Sequence, residues 1–265
     1  MAGGGPATGP GTPFGGVVFD VDGVLVDSPH ERAWEEALRE LMETRWRDVR
    51  PRTGWAPDRF TTGLYQEVMA GKPRYEGARA ALERFGVPDP DRRAREYGDR
   101  KQRRVVELIE AGEFHAFPDA LRFFAAVKRA GTPVAAASSS KNAHQLLERI
   151  RLDGSGAGRP RPGPSLLDAF DADVTGRDFP RGKPDPAIFL AAAEELGVPP
   201  AACLVVEDAT AGVAAAKAGG MAALGVARLH DEALLARAGA DLVVRTLDEV
   251  DTGALSTGRL ARRYA

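Results

Sequence analysis

Hydrophobic and polar positions follow two regimes along the chain. Val17-Val18-Phe19 is a short run of apolar β-formers and reads as a buried strand. Then, from Glu31 to Trp46, the apolar residues Trp34, Ala37, Leu38, Leu41 and Met42 recur at helical spacing, one stripe on a charged helix. Residues 47–75 are less regular, broken by Pro51, Gly54, Pro57, Gly63, Gly71 and Pro73. Helix resumes from Glu76 to Phe85, where Gly86 supplies a stop, and a long charged helix spans Asp91 to Ala111 with Val105, Leu108 and Ile109 facing inward. No strand pattern interrupts residues 29–115, so this block is expected to be all-helical.

Beyond it the pattern alternates. Helices are expected over Leu121–Ala130, Ala143–Ile150 (capped by Asn142), Pro186–Leu196, Thr210–Ala218 and Asp231–Ala238. Strands are expected over Pro133–Ala137, Ala172–Thr175, Ala202–Val206, Ala222–Val226 and Asp241–Val244. Such alternation predicts an α/β fold, a Rossmann-like parallel sheet covered by helices on both faces, with the helical block inserted after the first strand. The expected organisation is a tail over 1–13, a core from 14–28 and 116–255, an inserted unit over 29–115, and a second tail over 256–265. Gly154–Pro164 reads as a Gly/Pro/Arg loop with no evident chemical use.

Composition narrows the function classes. With 265 residues, 43% hydrophobic content and a net charge of −2, the chain can bury a large core and offers no basic surface for nucleic acid or an anionic membrane. Nor does any apolar stretch approach the ~20 residues of a membrane span. The opening Gly/Pro-rich segment lacks the apolar and basic parts of a secretory signal. One cysteine, Cys203, excludes an internal disulfide and suits a reducing cytoplasmic setting; inside a buried strand it reads as an inert core thiol.

The candidate chemistry sits where strands end. Ligands of open α/β sheets bind outside the carboxyl ends of the strands. The first strand hands over to Asp20 and Asp22, the second to Ser138-Ser139-Ser140-Lys141-Asn142, the fourth to Glu207-Asp208, while Gly182-Lys183-Pro184-Asp185-Pro186 places a lysine in a proline-fixed turn. Two carboxylates one residue apart at a buried strand end repel each other and are costly to desolvate, a cost that a hard cation would justify. Turn formation is the competing explanation for the aspartates. Ser138 before a helix suits a phosphate or simply an N-cap; Lys183 suits a phosphate or plain solvent; Glu207-Asp208 suit a metal or helix capping. A functional reading accounts for all four placements together, and the alternatives do so only one at a time.

At this point the chain resembles the haloacid-dehalogenase superfamily. Its four motifs are matched by Asp20-Val21-Asp22-Gly23-Val24-Leu25-Val26-Asp27-Ser28, the serine after the second strand, the Lys183-Pro184 turn and Glu207-Asp208, across nearly all of residues 14–250. Ala137-Ser138-Ser139-Ser140-Lys141-Asn142 and Glu207-Asp208-Ala209-Thr210-Ala211-Gly212 are similar to the β-phosphoglucomutase-like branch, whose helical cap is placed like the insertion. The resemblance implies a Mg²⁺-dependent phosphotransferase acting on a phosphosugar through an aspartyl-phosphate. In it Asp20 is the nucleophile and Asp22 the general acid/base. Asp20, Asp22, Glu207 and Asp208 surround the metal, and Ser138, Ser139 and Lys183 hold the transferred phosphate. Arg74 (in Gly71-Lys72-Pro73-Arg74), Ser140, Lys141, Asn142, Lys101 and His30 are implied on the substrate side. The segment between Ser28 and Trp34 is shorter than in that branch, Gln102 stands where Asn is usual, and Gly154–Pro164 is extra. The implied activity is conversion of β-glucose 1-phosphate to glucose 6-phosphate, with phosphatase action on a small phosphorylated metabolite as the alternative and a non-catalytic phospho-ligand-binding module as a third. The expected partner is a small phosphorylated sugar, with no nucleic acid or membrane, the protein being a monomer or weak homodimer.

Overall fold

Val17-Val18-Phe19 lies within strand β1 (Gly16–Phe19), fully buried, in a computed structural model describing residues 12–70, 72–151 and 163–263. Next come β2 (Val26–Asp27), α1 (His30–Glu43), α2 (Thr62–Val68), α3 (Arg74–Arg84), α4 (Pro90–Glu110), β3 (His115–Ala116), α5 (Pro118–Arg129), β4 (Val134–Ala136) and α6 (Ala143–Arg149). The chain continues through β5 (Ala172–Asp173), α7 (Ala187–Leu196), β6 (Cys203–Glu207), α8 (Thr210–Ala218), β7 (Ala222–Val226), α9 (Glu232–Arg237), β8 (Leu242–Val244) and α10 (Thr252–Leu255). Two units result: Ser28–Phe114, and the sequence on either side of it, Met1–Asp27 with His115–Ala265.

The second of these units is the α/β fold that the alternation predicts. Its six-stranded sheet runs β5-β4-β1-β6-β7-β8, and every neighbouring pair is parallel. β1 is central because its neighbours come from far along the chain: Val17 pairs with Val134 on one side and Leu204 on the other. After β1 the connections run outward to β4 and β5, then return across it to β6. That reversal opens a crevice at the carboxyl ends of β1, β4 and β6. Val18, Ala135, Val205 and Ala223 of the sheet pack with Phe189, Val213 and Ala216 from α7 and α8. A two-stranded antiparallel ladder, β2 with β3, pairs Asp27 with His115 where the chain leaves for the helical unit and returns.

The helical unit is held by the stripe read from sequence. Trp34, Ala37, Leu38, Leu41 and Met42 are buried on α1, and pack with Ala78, Ala81 and Leu82 of α3 and Tyr97 of α4. The Trp34 and Tyr97 rings meet edge-on at 4.8 Å, and the Tyr97 hydroxyl donates to the Trp34 carbonyl at 2.9 Å. The less regular 47–75 stretch contains two short 3-10 helices, Arg50–Arg52 and Pro57–Arg59, and an α-helix that its Gly and Pro residues hid, α2, opened by Thr61, whose side chain accepts from the Leu64 N–H.

Other expectations need correction. Asn142 precedes α6 but its side chain makes no capping bond; the Asn142 N–H instead donates to Ser140 Oγ at 3.3 Å. Residues 256–263 are tied back to the chain before them: Asp251 N–H donates to the Ala261 carbonyl and Arg263 N–H to that of Glu249. The 1–13 tail falls mostly, and the 154–164 loop almost wholly, outside the described residues. No helix among the described residues is long and apolar enough to cross a membrane.

Candidate active site

β1 delivers its carboxylates under tight backbone control. The ladder continues one residue past the strand: Asp20 N–H donates to the Val206 carbonyl at 3.0 Å and Ala137 N–H to that of Phe19 at 2.8 Å. The chain then turns sharply, with Leu25 and Val26 N–H groups both donating to the Val21 carbonyl. Gly23 makes this turn possible in two ways. Its φ is +84°, and a Cβ there would lie 1.9 Å from Asp208 Oδ2. The absence of that side chain brings Asp208 against the turn that carries Asp22.

Lys183 joins the clusters. Its ammonium donates to Asp20 Oδ1 at 2.6 Å and to Glu207 Oε1 at 2.5 Å, with its side chain only 8% exposed. The Lys183–Pro184 peptide bond is cis. Glu207 Oε2 accepts from the Ala209 N–H at 2.8 Å, so both its oxygens are engaged. Its carboxylate rests on bare helix: a Cβ at Gly212 would meet Oε1 at 1.7 Å. From β4, the Ser138 hydroxyl donates to Asp22 Oδ2 at 3.2 Å and accepts from the Ser140 N–H at 3.1 Å. The structure therefore gathers Asp20, Asp22, Ser138, Lys183, Glu207 and Asp208 at one end of the sheet.

Electrostatics at this place are unbalanced toward negative charge. Burial pushes the Asp20 carboxyl up to about 7; Lys183 opposes the rise, while Glu207 and Asp22 add to it. Burial also drives Asp208 well above the usual carboxylate range, reinforced by Glu207 and Asp20. Burial alone would lower Lys183, but Asp20 and Glu207 outweigh it and hold the ammonium above its ordinary value. Four carboxylates set against one ammonium suit a hard divalent cation, which would lower the cost of ionising Asp20 and Asp208. Among the described residues no group of three His, Cys, Asp or Glu side chains is arranged to hold a metal ion by itself; an ion of the Mg²⁺ kind needs only one or two carboxylates from the protein.

Of the remaining candidates, Ser140 stays beside Ser138 through its N–H, and Ser139 is exposed. Lys141 Nζ is drawn to the loop after β5, at 2.6 Å from the Gly176 carbonyl and 2.7 Å from Asp178 Oδ1. His30, Arg74 and Lys101 belong to the helical unit. There Arg74 Nη2 donates to Gln102 Oε1 at 2.7 Å, while buried Lys101 lies 3.1 Å from His30 Nδ1 and 5.1 Å above the Trp34 ring. Gly23 and Gly212, read from sequence only as parts of motifs, are needed for the space they leave; Arg228, whose guanidinium donates to the carbonyls of Gly23 and Val24, escaped the sequence reading. Its signal was available, because it lies just beyond β7 at the same strand end as the others.

Comparison with known proteins agrees with this geometry. A family model described as hydrolase, haloacid dehalogenase-like hydrolase, matches residues 14–220. A β-phosphoglucomutase of Mycobacterium bovis is 33% identical over 249 residues, covering 88% of this chain and 90% of that protein. A phosphorylated carbohydrates phosphatase of Thermotoga maritima is 32% identical over 233 residues, covering 86% and 93%. Among solved structures, the archaeal β-phosphoglucomutase from Pyrococcus superposes with a TM-score of 0.69 at 30% identity, covering 92% of this chain and 99% of that one.

Proposed function

The chain belongs to the haloacid dehalogenase-like hydrolase family, and on that premise we propose that it is a Mg²⁺-dependent phosphotransferase for phosphosugars, working through a phosphorylated Asp20 and acting as a β-phosphoglucomutase. The observation that carries this reading is the Lys183 ammonium held between Asp20 and Glu207, beside the Asp22–Ser138 pair.

An Asp20 oxygen attacks phosphorus in line, the bond from phosphorus to the sugar oxygen breaks, and Asp22, as the acid, gives that oxygen its proton. In the second half, Asp22 takes the proton of an acceptor hydroxyl, whose oxygen attacks the phosphoryl group and frees Asp20. Ser138 and Lys183 hold the phosphoryl oxygens while charge spreads over them. Glu207 keeps Lys183 in place. Asp20, Asp208 and the Asp22 carbonyl would hold the cation, which supplies further neutralisation of phosphoryl charge when bound. Glu207, committed to Lys183 and Ala209, is left out of that set.

A second reading, hydrolysis, is favoured by the similarity to a carbohydrate-phosphate phosphatase. Water replaces the sugar hydroxyl as acceptor and the first half-reaction is unchanged. The mutase reading additionally needs groups for the phosphate not being transferred: Ser140, Lys141 and Asn142 are the α/β unit's candidates and Arg74 is the helical unit's. A time course with β-glucose 1-phosphate and Mg²⁺, following glucose 6-phosphate and free phosphate together, separates the two. Isomer without phosphate release, reduced in Arg74→Ala, is the result expected; phosphate release alone establishes the phosphatase. Asp20→Asn should take no label from a phosphoryl donor, and labelling of that variant would end both readings.

A further inference from the structure

Arg228 makes more contacts with the turn after β1 than any motif accounts for. Its Nε donates to the Gly23 carbonyl at 3.3 Å and its Nη2 to the Val24 carbonyl at 3.2 Å. The third arm, Nη1, donates to Asp119 Oδ2 at 2.8 Å, and the guanidinium carbon lies 4.0 Å from the centre of the Phe117 ring. Both side chains are largely buried, Arg228 at 15% and Asp119 at 8% exposure. The same Asp119 oxygen also accepts from the Thr246 hydroxyl at 2.8 Å and the Leu247 N–H at 2.7 Å, just past β8.

Two features make this more than a buried ion pair. The carbonyls it grips belong to the turn whose Gly23 seats the Asp208 carboxylate and whose preceding residues are Asp20 and Asp22. The ring it stacks on follows β3, and Phe117 N–H donates to the Leu25 carbonyl at 2.9 Å, closing the turn from its other side. A planar fork with five fixed donors can serve two carbonyls and a carboxylate at once, whereas an ammonium has one point of charge.

We propose that Arg228, anchored by Asp119, is a positioning residue that fixes the Gly23–Val24 turn and so holds Asp20, Asp22 and Asp208 in register for phosphoryl transfer. The role rests on the assignment of Asp20 as the phosphorylated group. Arg228 touches no reacting atom; it acts by denying the turn a second conformation. Misplacement of reacting groups by an ångström costs on the order of 100-fold in rate.

Arg228→Gln and Arg228→Lys are compared with wild type by rapid-quench labelling from acetyl phosphate in Mg²⁺, with amide hydrogen exchange read in parallel. For Arg228→Gln the labelling rate at saturating donor falls by about 10- to 100-fold while the half-saturating donor concentration stays within about 3-fold. Arg228→Lys, which keeps the charge beside Asp119, recovers part of the rate. The Leu25 and Val26 amides, both bonded to the Val21 carbonyl, exchange at least about 10-fold faster in Arg228→Gln, while amides of β1, β6 and β7 keep their protection. A general loss of stability would move all of them. Thr246→Val, which removes one donor from Asp119 and leaves both carbonyl contacts, labels at the wild-type rate.

Labelling of both Arg228 variants at the wild-type rate, or unchanged exchange at Leu25 and Val26, overturns the positioning role. If wild type takes no label, or Asp20→Asn takes it, the phosphoenzyme reading fails instead, and the exchange data alone decide whether Arg228 fixes the turn.

Discussion

Replacing Gly212 with alanine tests how the lysine at the site is held. An added Cβ would sit 1.7 Å from Glu207 Oε1 and 2.0 Å from its Cδ, so the carboxylate has to retreat. Retreat takes Oε1 from Lys183 and Oε2 from the Ala209 N–H, bonds of 2.5 and 2.8 Å. Helix propensity favours alanine over glycine inside α8 by about 1 kcal/mol. Against that stand overpacking, at ~1–3 kcal/mol, and weakened charge-assisted hydrogen bonds, at ~1.5–3 kcal/mol. The opposing terms leave a net loss of roughly 1.5–5 kcal/mol, which lowers Tm by roughly 3–20 °C at this chain length. Phosphoryl labelling slows by at least about 10-fold, because Lys183 no longer keeps its place against Asp20. Calorimetry and urea unfolding read the first effect, and acetyl phosphate labelling the second. The decisive comparison is with Glu207→Ala, which vacates the space: in that background Gly212→Ala should be neutral or mildly stabilising, a coupling of at least about 2 kcal/mol. An equal cost in both backgrounds, or a cost under about 1 kcal/mol in wild type, refutes the reasoning.

Lys183→Met removes the cation between two buried carboxylates; it should destabilise by ~3–5 kcal/mol at neutral pH and abolish labelling, and a folded, fully labelled variant would contradict this. Cys203 is buried and its thiol is pushed up to about 11 by burial, so iodoacetamide at pH 8 should alkylate it only after denaturation; mass spectrometry of the native protein showing stoichiometric adduct would count against that. Burial alone would raise Asp119, but bonds from Arg228, Leu247 and Thr246 outweigh it and hold the carboxyl below its ordinary value. Its stabilising contribution is therefore complete above the unfolded carboxylate value and disappears as pH falls through the folded one. Melting curves across that acid range should show a smaller pH-dependent decline in Arg228→Gln than in wild type, and parallel declines would exclude the linkage.

The sheet and the helical insertion were readable because each burial pattern has its own period, and the strand ends because apolar runs there stop abruptly at charged or hydroxyl residues. What stayed hidden depended on contacts between distant segments. Glu207 and Asp208 read as one acidic pair, yet successive side chains at a strand end diverge. One meets Lys183 and the space over Gly212, the other the space over Gly23. Nothing local to Arg228 or Asp119 reveals a pairing across more than a hundred positions of sequence. Helix α2 was obscured because its Gly63 and the flanking Gly and Pro residues mimic punctuation. Asn142 shows the reverse error: a residue favoured at N-caps whose side chain makes no such bond.

The antiparallel pairing of Asp27 with His115 has an implication for how such a chain can be remodelled. Cross-strand partners lie about 5 Å apart at their Cα atoms, a gap that a two-residue hairpin turn spans. Everything from Ser28 to Phe114 could thus be excised and the cut ends rejoined without stretching a single strand of the larger sheet. The same doorway would admit an unrelated insert of any length. The sheet and whatever is threaded through that two-stranded neck can then be remodelled separately.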